Sequence, residues 1–139
     1  MSAVVCPTCH APARRVALRT VKAMLKGAAL RRLQPDGDFY FCASADCEVV
    51  YFASGQIFLV ADVRERVFQK DAGSDAPVCY CFDWTRESLV AALLRGARPD
   101  EDIEEQVRER RCACDIRNPQ GACCLGNVKA VLANARARS

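Results

Sequence analysis

The sequence predicts an α+β protein built from a small zinc-stabilised β-rich half followed by a helical half that carries an iron–sulfur cluster. Three observations lead there. Ten cysteines in 139 residues fall into pairs at metal-ligand spacing. The first two pairs, Cys6-Pro-Thr-Cys9 and Cys42-Ala-Ser-Ala-Asp-Cys47, are joined to strand-like runs of aromatic and β-branched residues. The later cysteines, Cys79-Tyr-Cys81, Cys112-Ala-Cys114 and Cys123-Cys124, lie among segments of helical periodicity.

Along the chain, residues 1–12 form a knuckle-like loop that places Cys6 and Cys9 on one tight turn. The basic stretch 16–33 predicts a short helix, capped by Thr20 and running through Lys26 to a stop at Gly27. Pro35-Asp-Gly-Asp38 is a turn. It leads into a β-hairpin, residues 39–42 and 47–52, whose loop carries Cys42 and Cys47. Ser54-Gly55 turns the chain into another strand, 56–60, and a further strand is expected at 66–69. Asp, Gly, Ser and Pro crowd residues 70–77, so the halves are expected at 1–72 and 73–139. Thr85 is an expected N-cap for a helix with Leu89, Val90, Leu93 and Leu94 as its apolar stripe and Gly96 at its end. Pro99-Asp-Glu-Asp102 opens a second helix, with acids first and Arg108, Arg110 and Arg111 last, as the macrodipole favours. Its apolar face is thin, Ile103 and Val107. Asn118-Pro-Gln-Gly121 is a turn, and a third helix after Cys124 turns Val128, Val131 and Leu132 inward.

Composition narrows the function. Half of the residues are apolar and about a quarter charged, an ordinary globular balance. Each half is small enough to need a staple, which a metal can supply. A net charge of +3 is too modest for strong electrostatic capture of nucleic acid. A zinc-ribbon nucleic-acid binder would have to rest on Arg14, Arg15, Arg31 and Arg32, a pattern a solvated basic face explains as well. No charged leader with an apolar run is expected at the start, and no apolar stretch reaches membrane-spanning length. The thiol pairs point to a reducing, cytoplasmic setting. A disulfide scaffold fits poorly, because adjacent Cys123 and Cys124 and two C-x-C pairs seldom satisfy disulfide geometry. Neither a Ser/His/Asp set nor a phosphate loop is present, so hydrolase and transferase chemistry is not expected.

Cys6, Cys9, Cys42 and Cys47 make a four-cysteine set. Four thiolates close zinc's tetrahedral shell and leave no position for water, so such a site is structural. His10 and Asp46 are the neighbouring alternative ligands. The later thiols are too many and too close for a second plain ribbon, and C-x-C with distant cysteines suits a [2Fe–2S] core. Such a core is anionic. The helices after Cys81 and Cys124 are expected to direct N–H groups at it, with Gly121 and Gly126 permitting close backbone approach and Arg117 adding positive charge.

The run Cys79-Tyr-Cys-Phe-Asp-Trp-Thr85, then Cys114-Asp-Ile-Arg-Asn-Pro-Gln-Gly-Ala-Cys-Cys-Leu-Gly-Asn-Val128, resembles the N-terminal domain of the CopZ copper chaperones that bear zinc and [2Fe–2S]. The resemblance extends to residues 38–52 and to the opening C-P-T-C. The second half is similar to bacterioferritin-associated-ferredoxin-like [2Fe–2S] modules. By position, the resemblance implies zinc at Cys6, Cys9, Cys42 and Cys47, and the cluster at Cys79, Cys81, Cys114 and Cys124. Cys123 competes with Cys124 for the last place. Cys112 is left as a plain thiol or as a transient Cu(I) or redox ligand. The resemblance also implies one-electron transfer in copper handling, reduction of Cu(II) to Cu(I) for a protein partner. The chain shows no M-x-C-x-x-C copper loop, so the copper acceptor is expected on another protein. The rival expectation is a non-redox scaffold whose metals merely hold a docking surface.

Overall fold

The structure is a computed structural model and describes residues 4–138; residues 1–3 of the opening loop and residue 139 lie outside the described residues. It is α+β. Four short strands, β1 (Arg14–Val16), β2 (Phe39–Phe41), β3 (Val49–Ala53) and β4 (Gln56–Leu59), form an antiparallel sheet in the order β1-β2-β3-β4. The hairpin register pairs Tyr40 with Phe52 and Phe41 with Tyr51. Period-two alternation puts Phe39 and Phe41 on one face and Tyr40 on the other. The pairing of β3 with β4 shifts between Val49 and Tyr51, and that bulge lets β3 bury residues on both faces.

Each face has its own cover. On one, Phe39, Phe41, Tyr51 and Phe58 pack against α1 (Leu18–Met24) and α2 (Gly27–Leu30) through Val21, Met24, Leu25 and Ala29. On the other, Val49, Phe52 and Tyr40 pack against Cys6, Cys42 and Cys47. Tyr40 and Phe52 stack with ring centres 5.7 Å apart. The β-rich half is thus a sheet with helices on one side and a thiol cluster on the other.

In the second half a small hairpin, β5 (Pro77–Cys79) and β6 (Trp84–Thr85), leads into α3 (Arg86–Leu94), α4 (Pro99–Arg108), α5 (Cys114–Arg117) and α6 (Leu125–Arg138). Thr85 caps α3: its hydroxyl accepts from the Ser88 amide at 3.0 Å, and Ser88 Oγ accepts from the Thr85 amide at 2.8 Å. Pro99 stands at the start of α4, followed by three acids and closed by Arg108. Val78, Leu89, Ile103, Val128 and Leu132 form the core together with Cys79, Cys114 and Cys124. No helix of the described residues is long and apolar enough to cross a membrane.

Four details differ from the sequence expectation. Thr20 lies inside α1 rather than capping it, because its hydroxyl is engaged by the carbonyl of Asp115. Gly27 opens α2 instead of ending a helix; the break falls at Leu25, which goes extended to bridge Val63. Residues 66–69 do not make a strand, since Phe68–Lys70 coils into a 3-10 turn that delivers Lys70 toward the thiols. Leu94 does not share the buried stripe of α3: it is 77% exposed, and Leu89 and Ala92 face the core instead. Strands β1, β5 and β6, each of three residues or fewer, carried no readable period.

Candidate metal centres

The opening knuckle is closed by two backbone bonds, from the Cys6 amide to the Ala11 carbonyl and from the His10 amide to the Cys6 carbonyl, both 2.9 Å. His10 takes a left-handed conformation (φ 63°) to complete the turn and is itself exposed. The turn sets Cys6 and Cys9 against the mouth of the β2–β3 hairpin. There Cys9 Sγ lies 3.6 Å from Cys42 Sγ and Cys6 Sγ 3.9 Å from Cys47 Sγ. All four sulfurs lie within 4.8 Å of one another. Four sulfurs at about 2.3 Å from one zinc stand roughly 3.8 Å apart. The donor set and its spacing therefore fit a tetrahedral ion without His10 or Asp46, both of which are exposed.

The electrostatics suit bound anions. Backbone amides of Ala11, Ser44 and Val49 point at Cys9, Cys42 and Cys47, each two residues beyond its cysteine. The Ala11 amide holds the Cys9 thiol down at about 7, while burial pushes Cys42 up to about 12 and also raises Cys47. Metal binding must therefore displace protons from the buried members of the set.

Lys70 stands at the four-thiol site, and sequence reasoning missed it. Its ammonium donates to the Ser44 carbonyl at 2.7 Å and the Cys47 carbonyl at 2.9 Å, and stands 3.7 Å from Cys42 Sγ. A closed zinc–tetrathiolate centre carries net charge −2, and Lys70 offsets part of it while fastening the ligand loop. No local signal marks such a lysine; only the 3-10 turn aims it. Lys70→Met is expected to weaken zinc binding roughly ten- to a hundredfold, as loss of an outer-shell partner does. Competition against a chromophoric chelator measures this, and parent-like affinity would remove Lys70 from the site.

The second thiol group lies in the core of the helical half. Cys79, Cys114 and Cys124 are buried and Cys81 is partly so. Cys81 and Cys114 sulfurs are 3.5 Å apart. Cys124 is hydrogen-bonded to both Cys114 and Cys79. The bond from Cys124 holds the Cys114 thiol down at about 6 and lowers Cys79 as well, and the same bonds raise Cys124. Burial pushes Cys81 up to about 12. Among the described residues, only the first set brings every ligand atom within 4.8 Å of every other, so this second group is wider. Cys123 is exposed, whereas its neighbour Cys124 turns inward. Cys112 is partly buried, with its thiol raised by burial and by the nearby Cys114 and Cys123.

Amide donors reach these sulfurs from sources other than the expected ones. The Ala113 amide donates to Cys81 Sγ at 3.1 Å, the amides of Cys81 and Phe82 serve Cys79, and that of Cys124 serves Cys114. Helix α6 thus contributes through the residue that precedes it, but β6 separates Cys81 from α3. Arg117 reaches only the Cys81 carbonyl, at 3.5 Å. Gly126 has open space around it, and Gly121 makes its close approach to Val16 and Thr20 of the other half. Of the arginines behind the nucleic-acid expectation, Arg15 pairs with Asp38 at 2.6 Å and Arg32 with Asp62 at 2.7 Å, the latter also lying over the Phe58 ring.

Residues 3–64 match the family model of the CopZ zinc-binding domain. The chain is 34% identical over 119 residues to the copper chaperone CopZ of Archaeoglobus fulgidus, a match spanning 86% of this chain and 57% of that protein. The chain thus spans little more than half the length of that curated relative. The X-ray structure of the Archaeoglobus fulgidus CopZ N-terminal domain is similar at 31% identity and a TM-score of 0.77, covering 92% of this chain and 97% of that one.

Proposed function

Because the chain belongs to the family of CopZ N-terminal domains and its first part is a zinc-binding domain, we propose that it is a one-electron carrier in copper handling. In this reading Cys6, Cys9, Cys42 and Cys47 hold zinc, and Cys79, Cys81, Cys114 and Cys124 hold a [2Fe–2S] cluster in a half of the bacterioferritin-associated-ferredoxin-like kind. The units of this reading are 1–72 and 73–139. The observation that carries the reading is the second thiol group itself: four cysteines from three separate segments converge in one core. Their wider spacing suits thiolates divided between two irons better than a single ion. A cluster held there would supply one electron, enough to take Cu(II) to the Cu(I) that soft ligands prefer.

The chain's own residues set the terms. Amides of Ala113, Phe82 and Cys124 stabilise thiolate charge and favour the reduced form. Exposed Cys123, beside partly buried Cys112, offers copper a transient thiol near the group. The Cu(I) passes to a protein partner in copper handling, and the exchange belongs in a reducing cytoplasm, where free thiols persist. Metal and sulfide analysis of anaerobically purified protein, with its visible spectrum, tests this. The expected content is one zinc, two irons and two labile sulfides per chain. A colourless, iron-free protein after cluster reconstitution would defeat the second site.

A further inference from the structure

The segment joining Cys114 to Cys124 is held by the other half of the protein. Helix α5 is only four residues long, too short to hold itself. The carbonyls along this segment need donors, and two come from across the molecule. Thr20 of α1, fully buried, donates to the carbonyl of Asp115, next to Cys114. Tyr51 of β3, also fully buried, donates to the carbonyl of Pro119. Burial keeps the Tyr51 phenol protonated and so a donor. Gly121, in a left-handed conformation (φ 71°), lies so close to the first half that an added Cβ would stand 2.8 Å from Val16 and 3.1 Å from Thr20 Oγ1. Gln69 donates to Gln120 at 2.5 Å, and Gln120 in turn donates to the carbonyls of Ala122 and Cys123. Tyr51 stands on the strand that follows Cys47, and Gln69 precedes Lys70, so both contacts spring from the zinc centre's supports.

We infer that Thr20 and Tyr51 are positioning residues for the second thiol site, fixing from the zinc-bearing half the segment that presents Cys114 and Cys124. This rests on the proposed cluster site, and it adds that the two metal centres are not independent. Removing either hydroxyl leaves a carbonyl between the halves without its donor and lets the ligand segment shift.

The test uses whole protein carrying zinc and reconstituted iron and sulfide. Tyr51→Phe and Thr20→Val are expected to speed iron loss to a ferrous chelator roughly fivefold or more, the scale of one buried hydrogen bond. They should also shift the cluster's midpoint potential and visible circular dichroism, with zinc content unchanged. Thr20→Ser keeps the hydroxyl and should restore parent behaviour. Ser54→Ala, an exposed side chain in the turn between β3 and β4, should match the parent throughout. Fully loaded Tyr51→Phe and Thr20→Val with parent-like iron release, potential and dichroism would overturn the inference. If Tyr51→Phe fails to fold, the contrast between Thr20→Val and Thr20→Ser decides it alone. A parent that takes up no iron overturns the cluster reading instead. Positioning is then read from alkylation of Cys114 and Cys124 by iodoacetamide in the zinc protein. Faster alkylation in Tyr51→Phe and Thr20→Val upholds positioning, and unchanged rates overturn it.

Discussion

A Cys42→Ser protein is expected to lose its zinc and, with it, the ordered packing of the β-rich half. Cys42 is buried, 3.6 Å from Cys9, and follows the end of β2 at the mouth of the hairpin. Serine keeps the shape but not the soft thiolate, and three sulfurs no longer close the shell. Lys70 would also lose an anionic partner while remaining tied to the Ser44 and Cys47 carbonyls. Zinc binding in comparable modules supplies on the order of 10 kcal/mol, similar to the whole stability of a small domain. The sheet face under the thiols, Tyr40, Val49 and Phe52, is covered chiefly by those cysteines, with Ala13 beside them. Zinc analysis and denaturant unfolding followed through the stacked Tyr40–Phe52 pair report the effect. Full zinc retention in this variant would show that His10, Asp46 or another group is the true ligand.

The second large effect concerns copper. Reduced, cluster-loaded protein is expected to convert Cu(II) to Cu(I) at about one copper per chain without releasing iron, since a [2Fe–2S] core carries one electron. Cys114→Ser should abolish this. Cys114 stands at the centre of the group, 3.5 Å from Cys81 and hydrogen-bonded to Cys124, so its loss breaks the set rather than trimming an edge. A Cu(I)-specific chelator under anaerobic conditions gives the yield. The exposed thiol Cys123 and its neighbour Cys112 can also reduce copper, so a Cys112→Ser, Cys123→Ser protein belongs beside it and is expected to keep the single-electron yield. If Cys114→Ser, lacking its cluster, reduces copper as well as the parent, free thiols are responsible and the cluster mechanism fails.

What the sequence by itself determined is local. The spacing of Cys6, Cys9, Cys42 and Cys47 marked a four-thiol set because ligand pairs on a tight turn and a hairpin loop are short-range features. The hairpin of β2 and β3, the Thr85 cap, the Pro99 start of α4 and the inward Val128 and Leu132 of α6 were readable for the same reason: each depends on residues within a few positions of one another. What only the tertiary structure decided involves partners distant in the chain. Thr20 reads as a cap until Asp115 offers its carbonyl, and residues 66–69 read as a strand until Lys70 is drawn to the Ser44 and Cys47 carbonyls. Cys123 and Cys124 cannot be told apart by spacing, since neighbours share every offset within one residue. They separate only when the α6 start turns one sulfur toward Cys79 and Cys114 and leaves the other exposed. Gly121 shows the same limit: its turn was legible, but its close neighbours are Val16 and Thr20 rather than a cluster, because packing between halves is set by shape and hydrogen-bond demand that no local pattern encodes.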